Sequence, residues 1–291
     1  MKHRSGFVNI LGNPNVGKST LMNSLVGEKL SIITSKMQTT RHRIMGIVSG
    51  DDFQIVYSYT PGILNPKYLL QESMMKAVSG ALSDADLVVY VTDVIESVNK
   101  NSDYLRKIID AEAEKIIVIN KIDLTSGEKL DKLYELWEGM VPGTQIVPIS
   151  ALNNFNVDNL LKLILSRLPE GPEYFPKDQL TDRHERFFIT EIIREKILVH
   201  YQKEIPYSVE IEIESYKDEK SLTRIRAIIH VARESQKGII IGHKGLMLKR
   251  VGSEARKDIE EFIGRKVFLE LFVKVRKEWR DDTRSLKMFG Y

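Results

Sequence analysis

The chain contains no cysteine. Disulfides, thiolate zinc sites and cysteine nucleophiles are therefore excluded, and the absence fits a reducing, cytoplasmic compartment. Long apolar runs are missing too: no stretch approaches the ~18 consecutive apolar residues that would cross a bilayer. The opening Met1-Lys2-His3-Arg4 is not followed by an apolar segment of signal length, because Asn9, Gly12 and Asn13 interrupt it. The six histidines are scattered, and none pairs at metal-ligand spacing. No Ser-His-Asp arrangement for nucleophilic catalysis is supported. The net charge is only +3, so any signal for a polyanionic partner has to come from how charge is distributed. What remains is 42% hydrophobic and 29% charged residues in a chain of 291, enough for two domains or one large one.

Up to residue 168, strand-like and helix-like segments alternate. Strands are predicted at Phe7–Leu11, Arg43–Val48, Phe53–Ser58, Leu87–Thr92, Lys115–Asn120 and Gln145–Ile149. The last three are nearly all apolar, as strands buried on both faces are. Helices are predicted at Lys18–Val26, Leu69–Ser83, Ser102–Ala113, Gly127–Gly139 and Val157–Arg167. This order predicts an α/β fold with a mostly parallel sheet covered by helices. Three prolines and a glycine between Leu168 and Pro176 then read as a linker, 169–183. Residues 184–291 follow a different order: helix His184–Gln202, strands Ser208–Glu214 and Ser221–Ala232 around a hairpin loop at Tyr216–Lys220, a helical stretch, a Gly-x-x-Gly turn, helix Gly245–Gly264 and strand Val267–Val273.

Gly12-Asn13-Pro14-Asn15-Val16-Gly17-Lys18-Ser19 fits Gly-x-x-x-x-Gly-Lys-Ser, the phosphate-binding P-loop, between a strand and a helix as that motif requires. Its glycines let backbone N–H groups surround phosphate oxygens at a helix N-terminus. Lys18 is expected to reach the β- and γ-phosphates, and the Ser19 hydroxyl to face Mg²⁺. Asn13, Asn15, Val16, Gly17 and Thr20 complete this part of the nucleotide site. Asn120-Lys121-Ile122-Asp123, at a strand end, selects the base. A carboxylate at Asp123 accepts from both guanine N1–H and the N2 amino group, whereas adenine would leave it buried and unpaired. Lys121 packs its stem on the base, Asn120 ties this loop to the P-loop, and Ser150-Ala151-Leu152 offers a backbone N–H to guanine O6. Gln38-Thr39-Thr40-Arg41 reads as a switch loop bringing Thr39 or Thr40 to Mg²⁺ and the γ-phosphate; the sequence does not choose between them. Thr60-Pro61-Gly62 places the Gly62 N–H at the γ-phosphate. The expected catalytic set is Lys18, Thr39, Thr40 and Gly62.

These five motifs, in this order, resemble the bacterial Era GTPases, and the resemblance covers nearly the whole chain. It implies a P-loop GTPase domain followed by an RNA-binding KH domain, GTP/GDP and Mg²⁺ as ligands, and a role for a monomer in maturing the small ribosomal subunit. It also implies weak peripheral contact with the inner face of the cell membrane, although no amphipathic anchor demands it. One position departs. The family pattern is Asp-Thr-Pro-Gly, and this chain has Tyr59-Thr60-Pro61-Gly62. The family's Asp holds a water on Mg²⁺; a phenol is neutral, bulkier and a poor acceptor there. Weakened Mg²⁺ binding and slower hydrolysis are expected, with nucleotide binding retained. Ile63 stands where many GTPases carry a water-orienting glutamine. Asn15 matches the P-loop asparagine that ligates K⁺ in related GTPases.

In the second half, Gly242-His243-Lys244-Gly245 lies after a helix–strand–strand unit and before a helix and strand, the pattern of a type II KH domain. Such loops clamp about four nucleotides of single-stranded RNA backbone. Lys244 adds charge, and an apolar groove beside Ile239–Ile241 is expected to take bases. From residue 233 onward there are 15 Lys and Arg against 9 Asp and Glu. Lys237, Gly242, His243, Lys244, Gly245, Lys249 and Arg250 form the expected RNA site, and the family resemblance implies the 3′ end of 16S ribosomal RNA as its ligand. Trp279 in the basic, aromatic tail is expected to pack on the domain.

Overall fold

The computed structural model describes residues 3–33, 36, 39–97 and 100–291. Its chain divides into two compact units, Met1–Lys67 with Gln71–Asp182, and Arg183–Tyr291 with Tyr68–Leu70.

The first unit is built on a six-stranded sheet. Its strands are β1 (Arg4–Leu11), β2 (Ile44–Ser49), β3 (Phe53–Tyr59), β4 (Leu87–Asp93), β5 (Glu114–Asn120) and β6 (Gln145–Pro148), in the order β2-β3-β1-β4-β5-β6. Only β2 runs antiparallel to its neighbour, joined to β3 by a tight turn in which Gly50 N–H donates to Phe53 O. The others are parallel, as crossover helices α1 (Lys18–Val26), α2 (Leu69–Ser83), α3 (Ser102–Ile109), α4 (Gly127–Met140) and α5 (Val157–Arg167) require. Every residue of β4 is buried, which a strand covered on both faces needs. The carboxyl ends of β1, β3, β4 and β5 point their loops to one edge, where an open α/β sheet builds its site.

Helix α3 is shorter than the predicted Ser102–Ala113. The chain leaves the helix at Asp110, and Lys115 Nζ takes the carbonyls of Ala111 and Ala113, 2.5 and 3.0 Å away. The segment expected as a linker is also different: residues up to Asp182 belong to the first unit. Ser5 N–H donates to Pro169 O, and the fully buried Gln54 accepts from the N–H groups of Tyr174 and Phe175 and donates to Phe175 O. Ile47 N–H donates to Leu180 O at 2.8 Å. The prolines break regular structure, but backbone groups of β1 and β2 and the Gln54 side chain of β3 hold the segment in place.

The second unit has helix α6 (Glu185–His200), strands β7 (Val209–Asp218) and β8 (Thr223–Val231), helices α7 (Glu234–Ile241) and α8 (Leu246–Ile263), strand β9 (Val267–Val275) and helix α9 (Thr283–Met288). β7 and β8 are antiparallel and β8 and β9 parallel, in the order β7-β8-β9. Ile189, Ile193 and Ile197 fall every fourth residue on α6 and bury against Val209, Ile211, Ile229, Val251, Ala255 and Ile259. β7 and β8 pair as far as Asp218 and Thr223, so the hairpin turn is tighter than the expected Tyr216–Lys220. Trp279 is fully buried, donates to Ser208 O at 3.0 Å and meets Phe289 edge-on, so it packs as expected. Among the described residues no helix is long and apolar enough to cross a membrane.

Candidate nucleotide and nucleic-acid sites

The loop between β1 and α1 carries Gly12–Ser19. Gly17 adopts φ 92°, and a Cβ there would stand 2.2 Å from the Asn120 side-chain nitrogen, so only glycine lets the two loops approach. Asn120 uses that approach. Its side chain donates to Val16 O at 2.8 Å and accepts from Ala151 N–H at 3.0 Å, joining the P-loop, the Asn-Lys-x-Asp loop and the loop after β6. Lys121 Nζ donates to Asn15 O at 2.5 Å and to Asp93 at 2.6 Å. Ser150 Oγ donates to an Asp123 carboxylate oxygen at 2.5 Å, orienting an otherwise exposed side chain. Ala151 is buried and Leu152 is 80% exposed, so of these two the backbone of Ala151 rather than the Leu152 side chain is built into the loop.

A cavity of about 450 Å³ lies over this frame. Gly17, Lys18, Ser19, Thr20, Asn15, Thr39, Thr40, Gly62 and Lys121 all line it, so most residues singled out in the sequence converge there. Lys18 is buried, its Nζ donating to Asn13 O at 2.7 Å, and burial lowers its pKa from 10.5 to about 7. Asn13 and Val16 are buried beneath the lining. Gln38 lies outside the described residues.

The two threonines separate. Thr39 Oγ1 donates to Lys36 O at 2.6 Å. Thr40 Oγ1 lies 2.5 Å from the Tyr59 hydroxyl, which in turn lies 2.6 Å from Ser19 Oγ. Thr40 is therefore the one linked to the P-loop serine. The sequence reading missed three partners. Lys36 and Ile33 line the cavity, and Asn101 donates to Asn13 Oδ1 and Ile63 O at 2.8 and 3.0 Å. None has a motif of its own: Lys36 and Ile33 lie in a loop without periodicity, and Asn101 reads only as a residue before a helix.

The residues present do not fit Mg²⁺ in the manner a P-loop implies. That ion wants about six oxygens in a tight octahedron at roughly 2.0–2.1 Å, several of them waters held by carboxylates. Here the Ser19 and Thr40 hydroxyls are both engaged by one phenol, and among the described residues the cavity lining contains lysines but no carboxylate.

In the second unit the Gly-x-x-Gly turn joins α7 to α8. Gly242 takes φ 72° and ψ 179°, and a Cβ there would press on Met247 at 2.8 Å. His243 and Lys244 stand exposed at the tip. A groove of about 360 Å³ runs beside the turn, lined by Gly245, Leu248, Lys249, Gly252, Ser253, Arg256, Leu269 and Leu271. The groove thus lies between α8 and β9 rather than along Ile239–Ile241. Ile240 is buried in the core while Ile239 is half exposed. Lys237 and Arg250 are not part of its lining, and Arg250 pairs with Glu254 along the helix.

Comparison with known proteins agrees with the fold of both units. Residues 7–121 match the family model described as a 50S ribosome-binding GTPase, and residues 204–280 match the KH domain model. The chain is 44% identical over 294 residues to the GTPase Era of Alkaliphilus metalliredigens, covering all of both proteins. It is 45% identical over 290 residues to GTPase Era of Clostridium kluyveri, covering 99% of each. Among solved structures, Era in complex with MgGDPNP and nucleotides 1506–1542 of 16S ribosomal RNA superposes with a TM-score of 0.95 at 39% identity, over 99% of both chains. An Aquifex aeolicus Era variant bound to GDP and AlF4⁻ gives 0.94 at 39%, over 99% of both chains. With a P-loop GTPase unit, a KH unit and full-length identity above 40% to its curated relatives, the chain belongs to the Era family of GTPases.

Proposed function

We propose that the chain is a GTP-binding and GTP-hydrolysing switch that binds the 3′ end of 16S ribosomal RNA during assembly of the small ribosomal subunit. The observation that carries this reading is Asn120, whose side chain holds the P-loop, the base-selecting loop and Ala151 together, as a preformed guanine-nucleotide site needs. Backbone N–H groups of the P-loop and Lys18 hold the phosphates, with Ser19 and Thr20 at the start of α1. Asp123 reads guanine N1–H and N2, oriented by Ser150. The Ala151 N–H is committed to Asn120, so its part is to set the loop rather than to donate freely to guanine O6. Thr40 and Gly62 face the γ-phosphate. Asn15, exposed at the rim with its carbonyl on Lys121, supplies the donor for a monovalent cation such as K⁺.

RNA enters across the turn Gly242–Gly245, with phosphate against the glycine backbone and Lys244, and with bases in the groove lined by Leu248, Leu269 and Leu271. The 16S fragment seen with a solved Era structure supports this choice of RNA. Linkage makes nucleotide state and RNA affinity reciprocal: whatever factor GTP adds to RNA affinity, RNA adds to GTP affinity. The test is RNA affinity of the whole chain with GTP, with GDP and with neither, together with single-turnover GTP hydrolysis. Guanine-dependent binding of the 16S 3′ end and measurable turnover are expected; absence of nucleotide binding defeats the switch reading.

A further inference from the structure

We propose that Tyr59 takes the place of the metal in this chain: its phenol ties Ser19 to Thr40, Lys18 and Lys36 supply the positive charge, and guanine nucleotide binds without Mg²⁺. The proposal rests on reading the cavity as a guanine-nucleotide site.

The geometry comes first. Tyr59 ends β3 and is 3% exposed, so its ring is fixed and its hydroxyl emerges at the cavity wall. That hydroxyl lies 2.6 Å from Ser19 Oγ and 2.5 Å from Thr40 Oγ1. A phenol has one proton. With two lone pairs beside it, the oxygen serves both contacts and donates in at most one of them, so both hydroxyls are engaged by Tyr59. In a metal site the same two hydroxyls turn lone pairs to a shared cation, which thereby joins the switch loop to the P-loop. The phenol makes that junction by itself.

Charge is the second observation. Among the described residues three lysines line the cavity, Lys18, Lys36 and Lys121, and no Asp or Glu does. Lys121 is committed to Asp93. With a phosphate bound, the Lys18 and Lys36 ammonium groups together carry the same formal charge as one divalent ion, the phosphate offsetting the burial that lowers Lys18 to about 7 in the free protein. A cation placed among them would meet their repulsion and no carboxylate in the lining to ligate it; the nearby carboxylates, Glu96 acting on Lys18 and Asp93 paired with Lys121, lie outside that lining. A triphosphate meets two donors and a helix N-terminus instead. The blander explanation, a tyrosine that merely fills space, accounts for its burial but not for a hydroxyl shared between these two side chains.

The experiment measures affinity of the full chain for a fluorescent GDP analogue with Mg²⁺ present and with EDTA. Wild type is expected to hold within about threefold across the two media, and Tyr59→Asp to become dependent on Mg²⁺ by about tenfold or more. Lys36→Ala is expected to weaken binding about equally in both media. A wild-type affinity that falls tenfold or more in EDTA overturns the proposal, and this arm stands even where the Asp variant fails to fold. Tight binding in neither medium defeats the guanine-site reading itself, an outcome distinct from metal dependence.

Discussion

The hydroxyl of Tyr59 lies 2.6 Å from that of Ser19, so the last residue of β3 and the first turn of α1 meet at one hydrogen bond. Thr40 joins the same phenol at 2.5 Å. This three-hydroxyl cluster distinguishes the chain from the aspartate-bearing pattern it otherwise resembles.

Hydrolysis is expected to be slow in the wild-type chain and to rise in Tyr59→Asp by about tenfold or more when Mg²⁺ is supplied, because a carboxylate would restore a held water on the ion. Single-turnover release of phosphate checks this. Equal rates in the two proteins would mean that Tyr59 does not limit the chemistry.

Nucleotide affinity is expected to depend on pH through Lys18. Burial lowers its pKa in the free protein to about 7, against an ordinary 10.5. A bound phosphate raises it again, so binding takes up a proton once the pH exceeds about 7. Affinity should be flat below that point and then fall with rising pH, by at most about tenfold per unit. Calorimetry in buffers of different ionisation enthalpy would register the proton. Affinity that is level from pH 7 to 9 would show that Lys18 is already charged in the free state.

RNA binding is expected to weaken in Lys244→Ala at every RNA sequence alike. Lys244 is exposed at the tip of the turn, and a lost phosphate contact should shrink the slope of log affinity against log salt by about 0.7 for a single strand. Gly242→Ala acts differently: at φ 72° with Met247 2.8 Å from the added Cβ, it distorts the turn and lowers affinity without that change in slope. Titrations of a labelled 16S 3′-end fragment at several salt concentrations separate the two.

Trp279→Ala is expected to destabilise the second unit by about 3–5 kcal/mol, the usual cost of emptying a large aromatic site. Trp279→Phe keeps most of the packing but strips the donor from Ser208 O, costing roughly 1–3 kcal/mol. Urea unfolding of the full chain, followed by circular dichroism, gives both values.

Much of this was legible in the sequence where a local rule applied. The α1 and α2 boundaries match the expected ranges because the P-loop glycine and the apolar spacing mark them. The order helix, strand, strand, helix, helix, strand identified the second unit because hydrophobic period switches visibly between 2 and 3.6. The end of α3 was missed, since Lys115 reaches back to Ala111 and Ala113 through tertiary placement that composition does not reveal. The docking of 169–182 was missed for the same reason: prolines announce a break in regular structure, but not that Gln54, a buried polar residue 120 positions away, will satisfy the backbone of Tyr174. In the site, motif residues were found and their neighbours were not. Nothing in the sequence separated Thr39 from Thr40; only the Tyr59 hydroxyl does. The groove beside the turn lies between α8 and β9 rather than along Ile239–Ile241, which looks like an apolar wall in the sequence although Ile240 is spent on the core.

The most direct test of the guanine-nucleotide reading is base selectivity at Asp123. Asp123→Asn replaces a carboxylate that accepts twice with an amide that donates once, which suits xanthine and not guanine. Affinities for GTP and xanthosine triphosphate should then cross, GTP losing about a hundredfold or more and the xanthine nucleotide gaining. GTP affinity unchanged in Asp123→Asn would contradict the assignment of this cavity to guanine.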